Sequence, residues 1–232
     1  MRDPLPGAVG VSKLCVYDTI TPDGRHGGTP HMHLCCTEAY VVTGGRGAVQ
    51  TLSGQGFAEH ELKPGAVVWF TPGTIHRLIN HAGLEIVVLM SNSGLPEAGD
   101  AVLTFPSDTL NDPEKYAKAV ALPNGGAPGA DVGAAYRRRD LAVEGFGELR
   151  KGGLAEFYAA AVKLKQPVLD TWRARWEQGA HRAAEATRHQ LDALAAGDAG
   201  HLAESRVMVK SEPDEMGRLG MCGLVNTYGD GR

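Results

Sequence analysis

The sequence has few cysteines, no long apolar segment and little net charge, three features that would point to a particular class of protein. Only four of its 232 residues are cysteine, and they form no C-x-x-C pair and no disulfide framework. These cysteines are Cys15, Cys35, Cys36 and Cys222. Because such sparse cysteine usage is typical of reducing compartments, we expect a cytoplasmic protein.

Long apolar segments are also missing. Apolar runs such as those at 66–70 and 86–90 have the length of a strand and are too short for a membrane-spanning helix. No apolar stretch follows the first seven residues, so we predict no secretory signal. The sequence therefore predicts no membrane partner.

Charge of one sign is scarce as well. The net charge is −4 at pH 7, and the only basic cluster is Arg137–Arg139, which we interpret as a solvated helix surface. Nucleic-acid binding would need a basic face or stripe, so we predict no nucleic-acid partner. Apolar residues make up 43% of the chain, which is enough for a proper hydrophobic core.

Short strand-like segments fill the chain from about residue 9 to residue 105. They alternate with glycine-rich turns such as Thr43-Gly44-Gly45. Short strands repeated about every 8 to 12 residues predict an antiparallel sandwich or barrel, with Trp69 expected in its core. The predicted strands are 12–17, 38–43, 47–52, 58–62, 66–70, 76–80 and 84–91.

Helical patterns replace the strands in the second half of the chain. Asp112 followed by Pro113 predicts the start of a short helix that runs to about residue 121. Apolar residues then recur at helical spacing from Leu169 to Leu194, and this stripe needs burial against the barrel or a second subunit. A second amphipathic stretch covers 141–164.

These patterns predict the domain organisation. We expect a barrel domain over 1–122, which includes a flanking strand and a short helix, and a breaker-rich linker over 123–130. A mainly helical C-terminal extension is expected over 131–232.

One motif contains side chains that can bind a metal ion. His31, His33 and Glu38 have the form H-x-H-x₄-E. Residues two apart on a strand point to the same face, so both histidines can aim inward, and Glu38 returns from the next strand. His76 can supply a fourth ligand from a distant strand. Such a set of nitrogen and oxygen ligands suits one divalent Fe, Mn, Ni, Zn, Co or Cu ion without choosing among them.

These residues resemble the first motif of the cupin superfamily, G-x₅-H-x-H-x₃₋₄-E-x₆-G. His31, His33, Glu38 and Gly45 fall at the required spacings, whereas Arg25 occupies the slot of the leading glycine. This departure concerns a turn and leaves the ligands in place.

The second cupin motif, G-x₅-P-x-G-x₂-H-x₃-N, is also matched. Gly65, Gly73, His76 and Asn80 agree with it, while Thr71 holds the proline slot. The resemblance as a whole covers residues from about 9 to 105. We interpret Asn80 as an amide that stabilises a turn, and Arg77, beside the motif histidine, is expected outside and solvated.

The resemblance implies a double-stranded β-helix, or jelly-roll, barrel with the metal inside. It also implies open coordination positions for water or substrate, and a homodimer, since cupins commonly dimerise through their sheets. In some cupins the carboxylate equivalent to Glu38 serves as a base. Tyr40 shares the face of Glu38, so Glu38 and Tyr40 are the candidate catalytic residues, although a buried tyrosine more commonly fills space.

Three functions stay open. The favoured one is a dioxygenase-like enzyme that acts on a small oxygen-rich substrate through one metal ion. The second is a cupin-type sugar isomerase with Glu38 or Glu85 as base, which the resemblance of 31–40 and 72–80 to phosphoglucose isomerases suggests. The third is a non-enzymatic small-molecule-binding cupin. Few inward basic residues are expected, which disfavours a phosphorylated substrate.

Overall fold

The computed structural model describes residues 5–229. The predicted barrel domain begins in residues 1–4 and the predicted helical extension ends in residues 230–232, so these two ends lie outside the described part. The strands of residues 5–229 are β1 (Gly10–Val16), β2 (His31–His33), β3 (Glu38–Ser53), β4 (Gly56–Leu62), β5 (Val67–Phe70), β6 (Ile75–Met90), β7 (Ala101–Leu103), β8 (Glu215–Leu219) and β9 (Gly223–Tyr228).

The α-helices lie between β7 and β8. They are α1 (Ser107–Leu110), α2 (Pro113–Val120), α3 (Val132–Leu149), α4 (Leu154–Lys165), α5 (Leu169–Trp176) and α6 (Arg182–Ala195). As predicted, α2 begins at Pro113 behind an Asp112 side chain that accepts hydrogen bonds from two backbone N–H groups. A π-helical turn over Glu177–His181 joins α5 to α6.

The two longest strands form the frame of the barrel. β3 pairs with β6 along most of its length, and also with β4 over its second half and with β5 over its first. The sequence predicted each of them as two strands, because glycine-rich turns lie at their centres. Instead, both strands run through these positions with irregular register between Val42 and Gly47. Gly45 has a φ of +67°, and a Cβ there would lie 2.1 Å from the Gly83 carbonyl oxygen.

Apolar side chains fill the barrel. Along the first half of β3, Glu38, Tyr40 and Val42 are buried in alternation, as a strand with one inward face requires. The interior cluster also takes Leu14, Val16, Val49, Leu62, Phe70, Leu78, Leu84, Ile86, Val88 and Cys222. Trp69 is not part of it: the prediction of a core position is wrong, because Trp69 is on the outer face of β5 and 67% exposed.

A second core lies between the barrel wall and the helices. Met32 and Ile75, on the outer faces of β2 and β6, pack with Phe146 of α3 and Phe157 of α4. The architecture is therefore a jelly-roll barrel whose wall is covered by a helical C-terminal region. The prediction that α3 exposes Arg137–Arg139 to solvent is wrong for two of the three residues, since Arg138 and Arg139 are 9% and 1% exposed.

Arg139 is buried because its guanidinium forms hydrogen bonds with backbone carbonyl groups of a loop. Its guanidinium donates hydrogen bonds to the backbone carbonyl oxygens of Thr19, Ile20 and Gly27. The loop after β1 is thereby fixed to α3.

Of the amphipathic stripe from Leu169 to Leu194, only Trp172 is buried. Trp172 is 3% exposed, whereas Leu191 and Leu194 on α6 face solvent. None of the helices within residues 5–229 is both long enough and apolar enough to cross a membrane.

The chain returns to the barrel at its end. β9 pairs antiparallel with β1, and β8 pairs with β9. The carbonyl oxygen of Met221, between these strands, accepts hydrogen bonds from both the backbone N–H and the hydroxyl of Thr29. The division at 122, 130 and 131 stays a prediction, with the addition that the last segment joins the sheet of the first domain.

Candidate metal centre

Four side chains converge at one point inside the barrel. His31 and His33 come from β2, Glu38 from the first position of β3, and His76 from β6, where it stands directly across from His31. One potential ligand atom from each of the four lies within 4.8 Å of the others. All four residues are buried.

The distances between donor atoms suit a bound ion. His76 Nε2 lies 3.1 Å from His31 Nε2 and 2.9 Å from an oxygen of Glu38. His33 Nε2 is 3.4 Å from the same oxygen. Ligands about 2.0–2.2 Å from a transition metal are spaced at roughly this distance from one another. The cluster therefore has the size and the donor types to hold a divalent metal.

Each histidine is oriented from behind by its other ring nitrogen. His31 Nδ1 lies 2.8 Å from the Thr29 carbonyl oxygen, and His76 Nδ1 lies 3.1 Å from that of Thr74. His33 Nδ1 lies 3.1 Å from a carboxylate oxygen of Asp100. Since an acceptor at Nδ1 favours a proton there, Nε2 is the nitrogen that each ring directs to the centre.

The sequence analysis missed Asp100. It is fully buried, and its other oxygen accepts hydrogen bonds from the backbone N–H groups of Leu34 and Cys35. No local pattern could have shown its role, because Asp100 reaches His33 only through the pairing of β7 with β2.

Burial and neighbouring charges shift the pKa values of the cluster residues. Burial holds the pKa of His31 well below its usual value. Burial would also lower the pKa of His33, but the carboxylates of Asp100 and Glu38 outweigh it and raise that pKa to about 9. Burial would raise the pKa of Glu38, but the neighbouring His76 and His33 hold it well below its usual range. A metal bound here would displace the His33 proton.

One oxygen of Glu38 is left without a hydrogen bond among the described residues. This atom, Oε2, is buried, and the Nε2 atoms of His76 and His33 lie 2.9 and 3.4 Å from it. A buried carboxylate oxygen without a donor is costly, and coordination to a cation relieves that cost. The residues present therefore fit a metal.

Aromatic rings line the wall beside the cluster. The Phe70 ring stacks on His76 with centroids 4.2 Å apart, and Tyr40 meets Phe70 edge-on at 5.2 Å. Tyr40 is 1% exposed, and burial, followed by the Glu38 charge, raises its pKa well above the usual value. The Tyr40 hydroxyl thus stays protonated beside Glu38.

Other residues considered from the sequence lie away from the centre. Glu85 is on the outer side of the barrel, where it forms an ion pair with Lys13 at 2.9 Å, so it is no base for this site. Asn80 donates to the Val16 carbonyl oxygen and accepts from the Leu84 N–H, as expected of a turn-stabilising amide. Cys36 is buried against Leu95 and lies outside the ligand cluster.

Arg77 corrects a further prediction. It points outward from the barrel, as expected, but is fully buried rather than solvated. The loop at Thr21 and Asp23 covers it, and both side chains accept hydrogen bonds from its guanidinium.

A crevice of about 620 Å³ lies beside the loop that precedes His76. Its wall includes Thr71 and Thr74 from this loop, Gln55 from the β3–β4 turn, and Tyr158 from α4, whose hydroxyl donates to the Gly73 carbonyl oxygen. Among the described residues, no charged side chain lines the crevice.

The cupin domain family matches residues 17–91, which include all four cluster residues. No curated protein matches the chain. Among solved structures, the capsular polysaccharide assembling protein CapF from Staphylococcus aureus is 20% identical, with 39% of this chain and 25% of that one covered and a TM-score of 0.28.

Two further structures are similar to part of the chain. The WlaRB TDP-quinovose 3,4-ketoisomerase from Campylobacter jejuni is 15% identical, with 34% of this chain and 60% of that one covered and a TM-score of 0.29. An uncharacterized conserved protein with a double-stranded beta-helix domain from Klebsiella pneumoniae is 19% identical, with 36% and 64% covered and a TM-score of 0.27.

This chain spans less than two thirds of the length of each of these three structures. Similarity this weak says nothing about the activity of the chain. The matched segment, the two motifs within it and the jelly-roll barrel agree with one another. Residues 17–91 of the chain therefore form a cupin domain.

Proposed function

We propose that this protein is a metal-dependent enzyme that acts on a small oxygen-rich substrate, in the manner of a dioxygenase. The metal would be a single divalent transition-metal ion held by the Nε2 atoms of His31, His33 and His76 and by the Glu38 carboxylate. The observation that carries the proposal is the orientation of all three imidazoles by acceptors at Nδ1. Such second contacts are typical of histidines that serve as ligands.

The bound ion would supply Lewis acidity and an open position for substrate oxygens. The protein supplies the rest. Phe70 and Tyr40 close the wall beside His76 and exclude water there. The protonated Tyr40 hydroxyl can donate a hydrogen bond to a substrate oxygen, and Glu38 can accept a proton when its oxygen is free. Glu38 and Tyr40 are accordingly the proposed catalytic residues.

The proposed substrate carries no phosphate. Arg77, the basic residue nearest to the cluster in sequence, is turned outward and paired with Asp23. The interior cluster of the barrel around the site consists of apolar side chains. A phosphate would lack a charged partner there, and its burial would cost too much.

A sugar isomerase is the second candidate. The contact of Tyr40 with Glu38 favours it, since a carboxylate beside a phenol can move a proton between neighbouring carbons of a sugar. Glu38 is the base in this version, because Glu85 lies outside the barrel.

Oxygen uptake separates these functions. Protein loaded with iron(II) under reducing conditions should consume oxygen when a catechol or a diketone is added, and the His76→Ala variant should not. Exchange of solvent hydrogen into an aldose or ketose, without oxygen uptake, would favour the isomerase. Tight binding of such ligands with neither reaction would overturn the enzyme proposal in favour of a small-molecule-binding cupin.

A homodimer is part of the proposal. Val67 and Trp69 are 55% and 67% exposed on the outer face of β5, and the register continues this face across Val41 of β3 to Val87 of β6. An exposed apolar sheet surface of this kind fits a second copy of itself. We also propose a cytoplasmic location, since Cys35 is an exposed free thiol and all four cysteines are unpaired.

A further inference from the structure

The loop between β6 and β7 carries a residue that contacts the candidate metal centre. This segment, residues 91–100, is called the Asp100 loop below. At its end, the two oxygens of Asp100 bridge the backbone after β2 and the ring of His33. The position of the whole loop therefore sets the position of the His33 imidazole.

Helix α5 holds the Asp100 loop from outside. The indole N–H of Trp172 donates to the Ala98 carbonyl oxygen at 3.1 Å, and the Arg175 guanidinium donates to that of Gly94 at 3.3 Å. The Trp172 ring is 3% exposed and packs on Leu95 of the loop and on Cys36. Both the polar and the apolar parts of this side chain are thus used against the loop.

The end of α4 adds a charge at the same place. Lys165 Nζ lies 3.6 Å from the point where a Cβ on Gly99 would stand, next to Asp100. Burial lowers the pKa of Lys165, and the Asp100 charge opposes that effect. The helical region therefore contacts the loop at Gly94, Ala98 and Gly99, and the residue that follows is Asp100.

We propose that Trp172 is a positioning residue of the metal centre, which acts on His33 through the Asp100 loop. The helical extension then keeps Asp100 against His33 Nδ1, so that the Nε2 lone pair stays directed at the ion. This inference rests on the proposed function, because it assumes that the cluster binds a metal.

The test measures the affinity for cobalt(II) alone, by competition with a chelator and by its visible absorption. Trp172→Phe keeps most of the ring and removes the N–H donor. The matched control is Trp176→Phe on the same helix, where the ring is exposed and packs on His181. We expect Trp172→Phe to weaken cobalt binding several-fold and the control to leave it unchanged. The expected loss is smaller than the roughly 10- to 100-fold typical when a direct partner of a ligand is removed.

A double-mutant cycle shows whether Trp172 acts through Asp100. In an Asp100→Asn background, Trp172→Phe should cause little further loss of cobalt affinity. An equal loss in both backgrounds would overturn the proposal, as would unchanged affinity in the single Trp172→Phe variant. A lower melting temperature with unchanged affinity and absorption means a purely structural role, which also overturns it. Wild-type protein that binds no cobalt would overturn the proposed function itself, and the inference with it.

Discussion

The guanidinium of Arg77 is paired with Asp23, and the pair covers the outer side of the strand that carries His76. The closest nitrogen and oxygen atoms are 2.5 Å apart, and Arg77 is fully buried while the Asp23 side chain is 38% exposed. The Gly28 carbonyl oxygen accepts a hydrogen bond from Nε of Arg77, and the Thr21 hydroxyl accepts one from Nη2. The loop after β1 is therefore fixed to β6 one residue away from a proposed metal ligand.

Asp23→Asn should destabilise the protein by about 1–2 kcal/mol at pH 7, because it leaves a buried guanidinium without its counter-charge. Solvent screening on the exposed side of the pair keeps this loss small. Partial burial raises the pKa of Asp23, but the hydrogen bonds from Arg77 and Thr21 outweigh it and lower the pKa to about 2.

The pair therefore also affects stability in acid. Its contribution is complete above the ordinary pKa of 3.8 and is lost as the pH falls towards 2. Urea unfolding at pH 7, 5 and 3 should show a steeper loss of stability below pH 4 for the wild type than for Asp23→Asn. Parallel profiles would contradict this account.

Removal of one histidine ligand should remove the metal and leave the barrel folded. His33→Ala and His76→Ala each delete one of four proposed ligands, whereas the barrel interior is held by apolar side chains. Elemental analysis should find one ion per chain in the wild type and little in either variant, with the β-sheet circular dichroism retained. His60→Ala, on the exposed side of β4, is the control that should keep full occupancy. Full occupancy in both ligand variants would refute the assignment.

Asp100→Asn should weaken metal binding roughly 10- to 100-fold. The amide presents a donor where His33 Nδ1 needs an acceptor, so the proton moves to Nε2 and blocks the lone pair. Competition with a chelator measures the effect. Glu97→Gln, on the exposed part of the same loop, should bind like the wild type. An Asp100→Asn variant with wild-type affinity would mean that His33 needs no support from behind.

Trp69→Lys should dissociate the proposed homodimer, because it places a charge in an apolar sheet interface. Sedimentation velocity should show a dimer for the wild type and a monomer for this variant. Leu191→Lys tests a second exposed apolar position, on α6, and should leave the dimer intact. A monomeric wild type, or a dimer that survives Trp69→Lys, would exclude this interface.

Gly28→Ala should displace the C-terminal strands from the barrel. A Cβ at Gly28 would lie 2.5–2.6 Å from the Cα, Cβ and Sγ atoms of Cys222, so backbone must shift. The expected loss of stability is about 1–3 kcal/mol, as for other overpacked cores. Gly54→Ala meets no atom within 4 Å and is the control. Equal melting temperatures for the two variants would show that the last strands contribute little to the barrel.

Local sequence patterns were enough to predict the class of fold and the four residues of the buried cluster. His31 and His33 are two apart on a strand, so a period of two puts both on one face, and the spacings to Glu38 and His76 match the cupin motifs. The start of α2 was also local, because Asp112 and Pro113 form a cap from neighbouring residues alone.

The surroundings of the ligands depend on contacts between distant segments. Asp100 lies 67 positions from His33 in the chain, and Trp172 lies 74 positions from its acceptor at Ala98. Arg77 and Arg139 have the sequence pattern of surface residues, since a buried guanidinium is stable only where a folded loop offers its oxygens. Periodicity shows which face of an element is buried. Only the packing of distant segments against that face fixes which polar groups become partners.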